Sequence, residues 1–296
     1  MENKSILVIG AGAVGSAFLE SSIGLFKKVG IFDGDIVTKG NLITQPFYKE
    51  CDFSSPISKT AFAIKKLNSL DSGTEYKGYE RYFTEKDFEV MKEYDLIVDF
   101  TDNIKSRMII NEGCVNGGKA AVFVSLNEKE AFLYFYRDSA CFNCLLRNSI
   151  GHVKEGCESV ISAPEKEFVS FLKENILEFA LDRVEGGRIL LFNLKNKSIF
   201  SSMLKKDNEC EVCVKHVGKR IEDGFLQVCS SGIKFSYGKP LDLKKLSSVF
   251  ADSKLYSEFL IFNQNNKSVL ISLDGDFLFT GYTKEEAKEL IISLVS

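Results

Sequence analysis

The chain is predicted to be an α/β protein built on a mixed sheet with helices on both faces, followed by a small α+β appendage. Three observations predict this. The apolar run Ile6-Leu7-Val8-Ile9 enters a glycine-rich turn, Gly10-Ala11-Gly12-Ala13-Val14-Gly15, and then a helical stretch. Short apolar strands alternate with helical patterns as far as Arg107, the signature of parallel strands joined by crossovers. From residue 119 onward, paired apolar runs separated by short polar turns replace that alternation, as in antiparallel hairpins. With 296 residues there is chain enough for one large domain, predicted over 1–217, and a smaller one over 218–296.

The first unit is a nucleotide cradle by its chemistry. Gly10 permits a tight turn, Gly12 lets backbone approach a phosphate, and Gly15 allows helix to pack on strand. The following helix, expected from Ser16 to Leu25, presents unpaired N–H groups and a partial positive charge to an anion. Val29-Gly30-Ile31-Phe32-Asp33 is a second strand, ending on an acid where Rossmann-like proteins bind ribose. The polar stretch 34–55 is irregular; a helix is expected from Ser58 to Leu70, a strand near 75–81 and a helix near 84–93. Leu96-Ile97-Val98-Asp99-Phe100 is a buried strand, and Thr101-Asp102-Asn103 caps the next helix. Ligands of open α/β sheets sit at strand C-terminal ends, which turns Asp102 toward the glycine loop.

Ala120–Ser125 and Ala131–Tyr136 form a hairpin, a long helix follows over about Glu165–Val184, and Arg188–Leu194 with Ser198–Leu204 forms a second hairpin. In the tail, 259–262, 268–271 and 277–279 read as strands and Lys284–Leu294 as a closing helix.

Composition narrows the function. Hydrophobic residues at 45%, charged residues at 27% and a net charge of −3 describe a globular protein with no electrostatic case for nucleic acid or anionic membrane. No apolar run approaches the ~20 residues that span a bilayer. The first strand starts at once, so no signal peptide and a cytoplasmic location are expected. In that compartment eight cysteines point to metal or thiol chemistry rather than disulfides. Four form two CxxC pairs, Cys141/Cys144 and Cys210/Cys213, each at the end of a hairpin. Four thiolates in two such knuckles make a closed tetrahedral structural zinc site, whereas a redox pair needs a single CxxC at a helix N-terminus. Cys51, Cys114 and Cys229 are expected to pack as small hydrophobes. With only His152 and His216, a histidine triad or multi-histidine metal site is not expected.

Together these features resemble the ThiF/MoeB branch of the ubiquitin-activating-enzyme superfamily. The resemblance runs from residue 5 to about 215 and is carried by the glycine loop, Asp33-Gly34-Asp35-Ile36-Val37, Asn41-Leu42, Gln45, Lys59, Asp102-Asn103 and Arg107. It implies ATP-dependent adenylation of the C-terminal carboxylate of a ubiquitin-like or sulfur-carrier protein, or of a related small carboxylate, and a homodimer. It assigns Gly10, Gly12, Gly15, Asp33, Asp35, Asn41, Gln45, Lys59, Asp102 and Asn103 to the nucleotide. The chemistry agrees with the types. A carboxylate at Asp33 accepts from both ribose hydroxyls. Asn41 and Lys59 donate to phosphates, Lys59 offsetting charge as pyrophosphate leaves. Asp102 suits magnesium, which favours hard oxygen ligands. The resemblance extends to the cysteine pairs as zinc ligands and to Cys157 as acceptor of the activated acyl group, with Lys154 and His152 nearby to lower its pKa.

The sequence departs from that pattern at Thr44, where an arginine usually precedes the glutamine, and, because it opens on its first strand, the family's N-terminal helix with a partner-reaching arginine is expected to be missing. Lys39 or Lys49 could replace part of that charge, without the bidentate geometry of a guanidinium. The departures motivate an alternative, a non-catalytic ATP- or carrier-binding scaffold of the same fold. A nicotinamide-dependent oxidoreductase is disfavoured, because the acid after the second strand is followed by the Asn41/Gln45 set and no proton-relay motif stands out.

Overall fold

The computed structural model describes residues 2–148, 163–216, 225–228, 232–237, 239–250, 253–256, 259–264, 267–273 and 275–295. The chain divides into two compact units, one within residues 1–219 apart from a few positions in 155–158, the other within 220–296.

The first unit holds an eight-stranded sheet. Its strands are β1 (Glu2–Ile9), β2 (Phe26–Phe32), β3 (Glu75–Tyr79), β4 (Leu96–Asp99), β5 (Ala120–Leu126), β6 (Glu130–Tyr136), β7 (Arg188–Asn193) and β8 (Ile199–Met203), in the order β3-β2-β1-β4-β5-β6-β7-β8. The half from β3 to β5 is parallel and the half from β5 to β8 antiparallel. The change of texture near residue 119 is therefore the change from crossover to hairpin connections. Ile6, Leu7 and Val8 have no exposed surface, as a strand covered on both faces requires.

The crossovers are α1 (Ala13–Ser21), α3 (Lys59–Leu70) and α5 (Ile104–Gly117), with the short α2 (Asn41–Thr44) and α4 (Phe88–Met91) between them. Ser58 caps α3, accepting from the Ala61 amide at 2.9 Å, so that helix starts one residue later than the apolar pattern implied. Residues 84–93 do not form one helix: Thr84 and Asp87 close a capping box around a 3-10 turn, and α4 is a single turn beyond it. The helices α6 (Phe142–Asn148) and α7 (Lys166–Ala180) complete the unit, α7 burying Phe168, Leu172, Ile176 and Phe179 along one face.

The second unit is a six-stranded antiparallel sheet. It comprises β9 (Phe225–Val228), β10 (Gly232–Ser236), β11 (Ser253–Leu255), β12 (Phe259–Gln264), β13 (Lys267–Ser272) and β14 (Asp276–Thr280), in the order β11-β12-β13-β14-β10-β9. With α8 (Leu243–Ser247) and α9 (Lys284–Val295) it encloses a separate core that includes Leu260, Val269, Ile271, Phe277 and Phe279. The sequence pattern located β12, β13, β14 and α9 but not β9, β10, β11 or α8.

Candidate functional site

Sheet register assembles one end of the first unit. Ile9 lies between Phe32 of β2 and Asp99 of β4, so the glycine loop, Asp33 and the segment after Asp99 emerge side by side. The backbone extends the ladder by one step, Gly10 N donating to Phe32 O and Phe100 N to Ile9 O, both at 2.8 Å. From β1 the chain order turns outward in both directions, to β2 and to β4. This is the topological switch point where open α/β sheets bind ligands.

The glycines divide their roles. Gly10 has φ +98, a conformation that side chains strain, and a Cβ on Gly15 would sit 2.0 Å from the Gly10 carbonyl oxygen. Gly12 is different: a Cβ there would meet nothing within 4 Å. Gly12 therefore borders open space rather than packing. It is also the N-cap of α1 and offers no capping side chain, so the first-turn amides of α1 face that space without an intrahelical acceptor. A loop closed at Gly10 and Gly15 but open at Gly12 is shaped to receive an anion.

Asp33, only 9% exposed, braces this loop. One carboxylate oxygen accepts from Ala11 N at 2.7 Å and the other from Asp35 N at 2.8 Å. Tyr48, fully buried, donates its hydroxyl to Ala11 O at 2.6 Å, and burial followed by the charges of Asp33 and Asp35 keeps that phenol protonated. The Lys59 ammonium, on the first residue of α3, is 3.0 Å from Asp35 Oδ2, while Tyr82 donates to Asp35 Oδ1 at 2.6 Å. Burial acts to discharge Lys59, but Asp35, Asp33 and then Asp102 outweigh it and raise its pKa well above the ordinary lysine value. One buried cation thus stands among three acids.

Gln45 is buried and its Oε1 has no hydrogen-bond partner among the described residues. An orphaned buried acceptor is the kind of atom a bound ligand satisfies. Asn41 spends its Oδ1 on Thr38, accepting from the backbone amide at 2.9 Å and the hydroxyl at 3.0 Å, which leaves its Nδ2 to offer a phosphate. Asp102 is exposed on the loop after β4. Asn103 caps α5, its Oδ1 accepting from Ser106 N at 2.8 Å. Arg107, which the motif grouped with the nucleotide residues, is buried and donates to the carbonyls of Thr101 and Val124, each at 2.7 Å. It holds the loop rather than facing the mouth. Tyr48, Tyr82 and Asp99 were not singled out by the sequence; tyrosines in apolar surroundings look the same whether they brace a loop or fill a core.

The second site is the cysteine cluster. The sulfurs of Cys141, Cys144, Cys210 and Cys213 all lie within 4.8 Å of one another. Cys141 to Cys210 is 3.6 Å, Cys144 to Cys213 is 3.5 Å and Cys141 to Cys144 is 4.0 Å. Four sulfurs at about 2.3 Å from one tetrahedral zinc would be about 3.8 Å apart, so spacing and donor set both fit zinc. Asn143 Nδ2 donates to Cys210 Sγ at 3.2 Å and Asp207 N to Cys144 Sγ at 3.5 Å, the outer contacts that orient thiolate ligands. The Cys144 thiol is pulled below the ordinary thiol range, first by the hydrogen bond from Cys141 and then, against burial, by the Asp207 amide. Cys51 and Cys114 are buried as expected, whereas Cys157, His152 and Cys229 lie outside the described residues. No helix among the described residues is long and apolar enough to cross a membrane.

Fold and site together define a Rossmann-like α/β unit with an open glycine loop at its switch point and a four-cysteine centre. The chain belongs to the ThiF family, whose model matches residues 1–212. It is 28% identical over 284 residues to the adenylyltransferase and sulfurtransferase MOCS3 of Dictyostelium discoideum, covering 92% of this chain and 65% of that protein. It is 25% identical over 227 residues to a sulfur carrier protein adenylyltransferase of Thermus thermophilus, covering 72% of this chain and 83% of that one. The chain spans from 31% to 65% of the length of the MOCS3 proteins it matches. Among solved structures, E. coli MccB shares the fold with a TM-score of 0.58 at 16% identity, over 75% of this chain and 67% of that one.

Proposed function

We propose that the protein is an ATP-dependent adenylyltransferase that activates the C-terminal carboxylate of a ubiquitin-like sulfur-carrier protein as an acyl adenylate. The observation that carries this reading is Lys59, a buried ammonium at the switch point, set among Asp33, Asp35 and Asp102 beside a glycine loop left open at Gly12. Membership of the ThiF family and likeness to sulfur-carrier adenylyltransferases support it.

In this reading Asp33 accepts from the ribose diol, the α1 amides, Asn41 and Gln45 hold phosphate oxygens, and Lys59 neutralises charge on the phosphate chain. A carboxylate oxygen of the carrier attacks the α-phosphorus, the bond to the bridging oxygen breaks, and pyrophosphate leaves with that electron pair. Catalysis is mainly positioning and charge neutralisation. Magnesium, held by Asp102, would spread the negative charge of the phosphates. Zinc held by the four cysteines would clamp the two hairpin ends. Cys157 is assigned as acceptor: its thiolate attacks the acyl carbon, the carbon–oxygen bond to phosphate breaks and AMP departs, leaving a thioester. The homodimer and the cytoplasmic location belong to the same proposal.

A non-catalytic scaffold is the second reading, favoured by Thr44 and by the engagement of Lys59 with Asp35 at 3.0 Å. ATP–pyrophosphate exchange separates the two. Adenylation predicts exchange that requires ATP, magnesium and a carrier ending in Gly-Gly, and that disappears when the carrier lacks its last glycine. ATP binding without exchange for any carrier or small carboxylate would overturn the catalytic reading.

A further inference from the structure

Among the buried residues of α5, Arg107, Asn111 and Cys114 are spaced i, i+4 and i+7 along one face, with Ile110 beside them. An apolar stripe is the usual tenant of such a face, yet Arg107 and Asn111 are polar. Burying them costs stability unless each finds partners. Their partners lie in opposite directions along the helix. Toward the N-terminus, Arg107 binds the carbonyls of Thr101 and Val124 at 2.7 Å, with its Nε 3.8 Å from Asp99 Oδ2. Asp99, completely buried, accepts from the amide and hydroxyl of Thr101 at 2.8 and 2.6 Å. These bonds fix the residue immediately before Asp102.

Toward the cysteine centre, Asn111 has no exposed surface and its Oδ1 accepts from the amide of Phe142 at 2.8 Å. Phe142 sits between Cys141 and Asn143 in the first knuckle, stacks on Phe123 of β5 at 4.8 Å and lies 5.9 Å beneath the Arg107 guanidinium. The buried Asn111 Nδ2 meets no acceptor among the described residues other than the Cys141 sulfur, with which the side chain interacts. Such a donor gains a stronger acceptor once that sulfur is a metal-bound thiolate.

We propose that Arg107 and Asn111 are positioning residues that tie the Asp102 loop to the first cysteine knuckle, so that filling the four-cysteine centre sets the geometry of the loop at the nucleotide mouth. The mechanical link concerns only this chain's own residues. What it does for catalysis rests on the adenylation reading, through Asp102.

The test is hydrogen exchange by mass spectrometry on the full chain, comparing zinc-loaded protein, protein stripped by a chelator, and the variants Asn111→Leu and Arg107→Lys, with metal content measured on each. The link predicts that Asn111→Leu retains zinc yet exchanges the amides of residues 100–107 about tenfold faster, the effect of one buried hydrogen bond, while β1 and β2 stay protected. Chelation should give the same selective loss, and Arg107→Lys, which keeps the charge but cuts five N–H donors to three, a smaller one. Should Asn111→Leu fail to fold, chelated wild type and Arg107→Lys decide. Unchanged protection at 100–107, or loss spread evenly over the unit, overturns the link. A second readout ties it to the reaction: the variants should raise the KM for MgATP more than they lower kcat in pyrophosphate exchange. Absence of exchange in the wild type would refute the adenylation reading and leave the exchange pattern to judge the link alone.

Discussion

Replacing Lys59 by methionine removes the buried cation that stands among Asp33, Asp35 and Asp102 while keeping roughly the length of the side chain. At 3.0 Å from Asp35 Oδ2, the pair interacts by about 5–6 kcal/mol at an effective dielectric constant of 20. Part of that is offset by the desolvation of a side chain that is 7% exposed. The Asp35 carboxylate, 24% exposed and still held by Tyr82, is better hydrated than a fully buried partner. The net loss of folding stability should therefore fall near 1–3 kcal/mol, below the 3–5 typical of breaking a fully buried pair. ATP binding should suffer separately. Three acids are left facing a polyanion, and one charge-assisted contact to phosphate is lost, about 1.5–3 kcal/mol or roughly 10- to 150-fold in Kd. Asp35→Asn is the control: it frees Lys59 and removes a negative charge, so ATP affinity should hold or improve. Urea unfolding measures the first quantity and titration calorimetry the second. A Lys59→Met protein that folds and binds ATP within threefold of wild type would refute the assignment of Lys59 to the nucleotide.

Two further substitutions separate fold from site. Gly12→Ala should fold with a stability change below about 1 kcal/mol, because its φ of −71 suits alanine and its Cβ meets nothing, yet lose ATP affinity by filling the cradle. Gly15→Ala should cost more than about 3 kcal/mol or fail to fold, since its Cβ would land 2.0 Å from Gly10 O; equal melting temperatures for the two would contradict the division of roles. Asp102→Asn, at an exposed position, should leave the melting temperature within ~1 °C of wild type and abolish magnesium-dependent exchange; exchange at the wild-type rate would remove Asp102 from the site.

What the sequence disclosed and what it hid follow from range. Gly10, Asp33, Lys59 and Asp102 each sit at the end of a strand or the start of a helix, and right-handed crossovers between parallel strands leave little choice about which ends meet. Local pattern plus that topology rule is enough to gather them. The cysteine centre was legible for a similar reason, since a CxxC knuckle carries its geometry within four residues. The contacts that stiffen the mouth have no local signature. Tyr48 reaches Ala11 across 37 positions and Tyr82 reaches Asp35 across 47. In the second unit, β10 begins at Gly232, where φ is +111 and a Cβ would strike Phe279 O at 2.0 Å, so a glycine that reads as a loop residue belongs to a tight strand pairing.

Arg107 and Asn103 show what a local motif leaves open, which is the role of each residue it contains. Both fall inside the ordered set that marks the nucleotide, yet Asn103 spends its side-chain oxygen on Ser106 N, and Arg107 spends donors on Thr101 O and Val124 O. Both hydrogen bonds come from the Arg107 Nη2, which the two buried carbonyls turn inward, and the charge of the guanidinium is already opposed by Asp99. Residues can therefore recur together in a motif because one touches the ligand and the next holds it still. Proximity in sequence cannot tell those roles apart; the direction of each hydrogen bond can. By that criterion Asp33, Lys59, Asn103 and Arg107 all brace the mouth, and the open flank at Gly12 and the Gln45 Oε1, unpartnered among the described residues, are what is left to meet a ligand.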